Sequence, residues 1–304
     1  MATPVSGAAF IDALNQTFGR HEAKRASHPK GVCCKGKFIP ARSLEELVDA
    51  PLFRANSLPA VVRFSIGGGN PNVSDTARVI RGLAISVSDH AERYDLIMLS
   101  EPVFFAATTE SFFSFLAARV PDPETGKPDP AKIAGHNARY PDGARQPAML
   151  ASHPPSASFA TSSYFSNNAF CFRAANGAVT TARLVMEPQT GVHYLSEQEE
   201  KSFAPDYMST ELQHRLAGGP LAFTLFAQLP DPQDSLLDPS QEWQGQRRIE
   251  MGTLLVQEMH APDACDGMSF MPLNLPKGIE PSDDPILAAR PGAYAVSLTR
   301  RRNN

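Results

Sequence analysis

A few side chains near the two ends of this 304-residue chain have types and spacings that could do chemistry. His28 lies in Arg25-Ala-Ser-His28-Pro-Lys-Gly31, and Arg290 stands four residues before Tyr294 in Arg290-Pro-Gly-Ala-Tyr294. An imidazole held in register can move a proton between two oxygens, and Ser65, in Val62-Arg-Phe-Ser65, is suited to orient it by a hydrogen bond. A tyrosine phenol ionises in water only near pH ~10, but a guanidinium one helical turn away favours the anion. Arg25, Arg63 and Arg301 stand close to His28, Ser65 and Tyr294 in sequence, and guanidinium groups seek carboxylates. Each piece also has a plain structural reading. An isolated histidine usually sits satisfied in a fold, and an Arg at i with a Tyr at i+4 can simply stack on the ring.

The bulk composition narrows the classes. Hydrophobic content of 42% with 20% charged residues is ordinary for a globular chain able to bury a sizeable core. A net charge of −4 argues against holding nucleic acid by broad electrostatics. No run of 18 apolar residues indicates a membrane span, and the N-terminus lacks a basic start followed by an apolar core. Of the four cysteines, Cys33, Cys34, Cys171 and Cys265, the adjacent pair can form neither a Cys-x-x-Cys clip nor an easy mutual disulfide. A reducing cytoplasm is the simplest compartment, although nothing in the sequence explains why two thiols stand side by side.

These groups need a frame. Phe10, Leu14 and Phe18 give residues 6–18 the rhythm of an amphipathic helix that Gly19 ends. Ser43-Leu-Glu-Glu46 has a capping-box pattern that should open a short helix through Leu52. Residues 60–66, 82–88 and 96–99 read as strands, and 110–120 as a helix. The stretch 121–158, rich in Pro, Gly, Asp and Ala, reads as a surface excursion with one short helix near 130–138. Strands resume at 169–173 and 179–186 around an Asn176-Gly177 hairpin turn. A helix over 207–216, strands at 221–229 and 252–259, a loop from 276 and a final helix bearing Tyr294 complete the pass. Short strands with helices between them predict one α+β domain over 1–304, an antiparallel sheet or barrel decorated by helices.

Several motifs fall away on inspection. Gly31-Val-Cys-Cys-Lys-Gly36-Lys37-Phe38 lacks the Ser or Thr that a phosphate loop needs for Mg²⁺, and no helix follows it. Gly67-Gly-Gly-Asn70 is a turn. The remaining histidines lack the spacing of zinc ligands. Asp283-Asp284 and the charged run 197–201 read as solvated.

In order along the chain, the histidine loop, Val62-Arg-Phe-Ser65, Arg78-Val-Ile-Arg-Gly82-Leu-Ala84, Tyr94-Asp-Leu-Ile-Met-Leu-Ser-Glu-Pro102-Val-Phe-Phe105 and Arg290–Tyr294 together resemble the haem catalase family. They resemble more closely its short members, the catalase-related peroxidases. The resemblance runs from about residue 20 to 301 and implies an antiparallel eight-stranded barrel with surrounding helices. It implies haem, of the b type, with Tyr294 as proximal iron ligand beside Arg290, and His28 as general acid and base oriented by Ser65. It further implies that Arg25, Arg63 and Arg301 hold the haem propionates. Phe105 and Phe112 would form apolar walls, Phe112 stacking on the distal side. The full-length family continues beyond the position of Arg301, so a shorter and more open route to the iron is expected, as is a homo-oligomer.

Two positions depart from the family pattern. Leu99 stands where catalases carry a distal Asn, although a one-residue slip would put Ser100 there. Ser27 precedes His28 where catalases usually have Val, and its hydroxyl could bond the imidazole. An apolar pocket disfavours holding a second peroxide. The expected activity is therefore a peroxidase acting on hydrogen peroxide or organic, including fatty-acyl, hydroperoxides, with an unidentified small-molecule electron donor and weak oxygen release. The alternatives are a lipid-hydroperoxide isomerase or dehydratase and a non-catalytic haem- or lipid-binding protein.

Overall fold

The computed structural model describes residues 5–303; residues 1–4, on which the reading of the N-terminus partly rests, and residue 304 lie outside them. Helix α1 (Gly7–Phe18) begins at Ser6, whose hydroxyl accepts from the Ala9 amide, and stops at Gly19, where φ is 85°. Strand β1 (Gly31–Pro40), helix α2 (Leu44–Leu47) and a single 3-10 turn (Pro51–Arg54) follow. Strands β2 (Leu58–Ile66), β3 (Arg81–Ser88) and β4 (Arg93–Leu99) pair in succession. Helices α3 (Thr109–Ala117), α4 (Pro130–Arg139) and α5 (Arg145–Ser152) lead to β5 (Tyr164–Phe165), β6 (Phe170–Arg173) and β7 (Val179–Pro188). Helices α6 (Glu197–Ser202) and α7 (Tyr207–Ala217) precede β8 (Leu221–Gln228), β9 (Arg248–Met259) and β10 (Ile279–Pro281), and α8 (Pro285–Arg302) comes last.

Antiparallel pairing runs β7–β5–β4–β3–β2–β1–β9–β8, and β8 pairs back onto β7. Eight strands therefore close into a barrel, which removes exposed sheet edges, while β6 and β10 continue outward from β7. With the helices outside it, this is the expected α+β barrel. The interior is filled by alternate residues of each strand, as in β8, where every second side chain is buried. Phe64, fully buried, stacks at 5.3 Å on Phe159 and also meets Tyr164 and Phe223. Its truncation to Ala would cost roughly 3–5 kcal/mol.

Strand register decides what the outer face carries. Ser65 pairs with Gly82 and Gly82 with Leu99, so these three residues form one row across β2, β3 and β4. The next row on that face is Cys33, Arg63, Ala84 and Ile97. Helix α1 crosses α8 at a Gly7–Gly292 contact so close that a Cβ on Gly7 would lie 2.2 Å from the Gly292 backbone.

Three expectations are corrected. The Ser43 motif does not cap; the hydroxyl donates to the Glu250 carbonyl, and only four helical residues follow. The 121–158 stretch holds a second helix, α5, which the Pro147 in its first turn disguised. Asp284 is not solvated: it is 1% exposed and caps α8 by accepting from the Ile286 and Leu287 amides. Among the described residues, no helix is long and apolar enough to cross a membrane.

Candidate active site

A cavity of about 580 Å³ lies between the outer face of β2–β4 and helices α1, α3, α5 and α8. His28, Ser65, Leu99, Arg25, Arg63, Phe105, Phe112, Arg290, Tyr294 and Arg301, the site residues drawn from the sequence, all line it. Gly82, between Ser65 and Leu99, and Ala84, between Arg63 and Ile97, are small and keep the sheet surface low there.

His28 is held in an unusual conformation. Its φ is 54°, a left-handed value that costs a non-glycine residue energy. The Gly67–Gly69 turn supplies the restraint, since the Gly68 carbonyl accepts from the His28 amide at 2.7 Å. A turn in the sequence is thus part of the site. The imidazole Nδ1 lies 3.0 Å from Ser65 Oγ, and Ser65 Oγ lies 3.5 Å from the Gly82 carbonyl. A Ser65 hydroxyl donating to Gly82 accepts from Nδ1–H, which assigns the ring lone pair to Nε2. Burial, and then the cations Arg63, Arg290 and Arg25, push the His28 pKa down to about 3. The imidazole is consequently neutral, the form a base requires. Ser27 also lines the cavity, but the bond to Nδ1 is made by Ser65.

The two readings of position 99 separate cleanly. Leu99 faces the cavity, whereas the Ser100 hydroxyl accepts from the Arg81 amide and donates to Glu101. Phe105 and Phe112 face each other at 5.2 Å between ring centroids and, with Phe10 and Phe18 of α1, make the cavity strongly apolar. The helical rhythm of α1 was legible; that it covers a cavity was not.

Across the cavity, Arg290 Nη2 donates to Tyr294 Oη at 2.7 Å, so the guanidinium addresses the phenol oxygen rather than only the ring. Arg290 Nη1 donates to Asn168 Oδ1 at 2.8 Å, and Asn168 Nδ2 donates to Asp284 at 2.5 Å. The line Asp284–Asn168–Arg290–Tyr294 fixes the phenol from behind. Asn168 went unnoticed in the sequence, and Asp284 was misread there as solvated charge. Burial raises the Asp284 pKa, partly offset by the Asn168 and backbone hydrogen bonds.

At the cavity edge three guanidinium groups converge. Arg25 Nη2 donates to the carbonyls of Cys265 (2.6 Å) and Met268 (3.1 Å), and Arg301 Nη2 donates to Met268 O at 3.0 Å. Arg63, 7% exposed, donates to the carbonyls of His28 and Pro29. Burial, with mutual repulsion, pushes Arg63 down to about 9 and Arg301 down to about 10. Asp266 is the carboxylate that faces them, and Arg301 Nε is buried without a hydrogen-bond partner. A positive cluster of this kind calls for carboxylate ligands.

The catalase family model matches residues 5–303. The chain belongs to the catalase family. It is 35% identical over 304 residues to a protein of Synechococcus elongatus named catalase-related peroxidase, covering 99% of this chain and 90% of that one. A protein of the same name from Mycolicibacterium paratuberculosis is 33% identical, with 96% and 93% covered. Catalase A of Saccharomyces cerevisiae superposes with a TM-score of 0.84 at 21% identity, over 93% of this chain and 62% of that one. A fungal catalase gives 0.83 at 22%, over 94% and 61%. The solved catalases share the fold, and this chain spans about three-fifths of their length.

Proposed function

We propose that this protein is a cytoplasmic haem peroxidase, one domain over 1–304, that reduces hydrogen peroxide and apolar organic hydroperoxides at the expense of a small-molecule donor and releases little oxygen. The observation that carries the reading is that the His28–Ser65 pair and the Arg290–Tyr294 pair line one apolar cavity. The residues present fit haem b. Tyr294 Oη, bonded to Arg290, is an oxygen donor suited to iron. Arg25, Arg63 and Arg301 suit its two carboxylates, with the unpartnered Arg301 Nε as one further donor. The names of the two bacterial relatives agree with a peroxidase.

Haem, when bound, supplies a redox-active iron that splits the peroxide O–O bond. This chain's residues set the conditions. His28 Nε2 takes the proton from one peroxide oxygen and returns it to the other, so that the departing oxygen leaves as water or alcohol. Ser65 keeps the lone pair on that nitrogen. Phe105 and Phe112 exclude water, and Phe112 supplies a ring face for stacking. Leu99 offers no hydrogen bond to a second peroxide, which leaves an external donor to return the two electrons.

The test is to follow peroxide loss and oxygen release together on haem-loaded protein, with and without an aromatic donor. Donor-dependent loss with little oxygen is expected. Brisk oxygen release without donor would mean a catalase and overturn the reading of Leu99.

A further inference from the structure

The adjacent cysteines found no use in the sequence, and they part company in the structure. Cys34 points inward among core side chains, with its Sγ 3.8 Å from Met259 Sδ. Cys33 points outward and is bonded to Cys265, 232 residues away. That bond ties β1 to the segment between β9 and β10, which has no strand or helix of its own.

The place of this tie relates it to the cavity. Cys33 is the cross-strand neighbour of Arg63. Cys265 supplies its carbonyl to Arg25 Nη2 at 2.6 Å, and Met268, three residues on, gives its carbonyl to both Arg25 and Arg301. Asp266 pairs with Arg25 at 3.6 Å, and Gly267 O accepts from Arg302 at 2.9 Å. Met268, Ser269 and Phe270 themselves line the cavity, and Cys33, Cys265 and Phe270 share a small apolar cluster apart from the barrel core. A single segment therefore seats two of the three edge arginines, and the disulfide holds that segment to the strand that pairs with the third.

We propose that Cys33 and Cys265 are positioning residues for the arginines that hold the haem carboxylates, and that their bond is a clamp closed by peroxide and opened by dithiols. This rests on the haem reading above. Closing consumes the protein's own substrate class: two thiols and one ROOH give the disulfide, ROH and water, the thiols losing two electrons and two protons to the peroxide. Opening is exchange with an external dithiol, which becomes a disulfide as the two cysteines are returned to thiols. Both sulfurs are nearly inaccessible, Cys33 at 3% and Cys265 at 2% exposure, so exchange requires the segment to lift. In a reducing compartment the clamp is then open at rest, and a rise in peroxide seats the arginines.

The experiment uses haem-loaded full-length protein without oxygen, treated with dithiothreitol or with one equivalent of hydrogen peroxide. Three quantities are read: haem transfer to an acceptor apoprotein, the iron midpoint potential and the propionate vibrations in resonance Raman spectra. The reduced form should lose haem about tenfold faster, as for one charge-assisted hydrogen bond lost (~1.4 kcal/mol), with shifted propionate bands and potential, and peroxide should restore all three. Cys265→Ser should behave as reduced throughout and ignore dithiothreitol; Cys34→Ser should behave as the parent. In Arg25→Ala the effect of dithiothreitol should shrink, because the clamp acts through that guanidinium. A tie that served only stability would lower the melting temperature and leave potential and propionate bands of the folded protein unchanged, which would overturn the proposal. Haem retention insensitive to thiol state, or cysteines that stay free after peroxide, would also overturn it. Failure to take up haem in any state would overturn the haem reading, and this inference with it.

Discussion

Gly82→Ala is a sharp test of the distal arrangement, because the added methyl has no room. A Cβ at this position would lie 2.5 Å from Ser65 Oγ, 2.7 Å from His28 Nδ1 and 2.9 Å from its Cε1. Ordinary carbon contacts begin near 3.5 Å, so the imidazole and hydroxyl must retreat by about 0.7–1 Å. Gly82 is the second residue of β3, paired to a strand on each side, and its φ is not positive, so the perturbation is steric. Overpacking of this size costs roughly 1–3 kcal/mol of stability. A displacement of ~1 Å at a reacting group can cost about a hundredfold in rate. The assay is rapid mixing of the haem-loaded variant with peroxide, beside a haem titration of the apoprotein. The bimolecular rate should fall by about two orders of magnitude while haem affinity stays within a few-fold, since Tyr294, Arg290 and the edge arginines are untouched. Removing the hydroxyl as well, in Gly82→Ala with Ser65→Ala, should relieve part of the clash. A folded Gly82→Ala protein reacting within about threefold of the parent would refute His28 as the proton carrier, or its seat against Gly82.

Further outcomes follow from the same geometry. Leu99→Asn should raise the ratio of oxygen released to donor oxidised by about fivefold, as expected for one added hydrogen bond of ~1 kcal/mol; parallel oxygen-electrode and donor assays measure it. Because burial and three cations hold His28 near a pKa of about 3, the rate of reaction with peroxide should be flat between about pH 5 and 8, with no limb near 6.5. The same depression has a sign for stability. The unfolded chain binds the extra proton below about pH 6.5, so this stability is complete above that pH and is lost as pH falls towards about 3. Relative to His28→Gln, the parent should therefore lose about 2 kcal/mol between about pH 6.5 and 5, read by denaturant titration. Asp284→Ala removes a helix cap and leaves Asn168 Nδ2 buried without its partner. Roughly 2–3 kcal/mol should be lost, seen as a lower melting temperature.

Much of the frame was legible because local periodicity dictates it. The alternation in β8, the Asn176-Gly177 turn with Gly177 at φ 85°, and the apolar rhythm of α1 all appear where their residue patterns put them. Arg290 and Tyr294 were legible because i and i+4 on a helix must be neighbours. What escaped depends on tertiary contact. Asn168 and Asp284 meet across 116 residues, and Cys33 and Cys265 across 232. The role of Gly82 arises from strand register, which sets it beside Ser65 and under His28. Helix α5 was hidden by local composition, and the Ser43 hydroxyl donates to the Glu250 carbonyl instead of accepting from the amides at the helix start.

The central claim is that Tyr294 and His28 face one another across a haem. The most direct measurement is resonance Raman of the haem-loaded protein for the ring modes of an iron-bound phenolate, in the parent, Tyr294→Phe and His28→Ala. The account predicts those modes in the parent and in His28→Ala, and their loss in Tyr294→Phe. Phenolate modes that persist in Tyr294→Phe, or an iron bound by histidine in the parent, would contradict it.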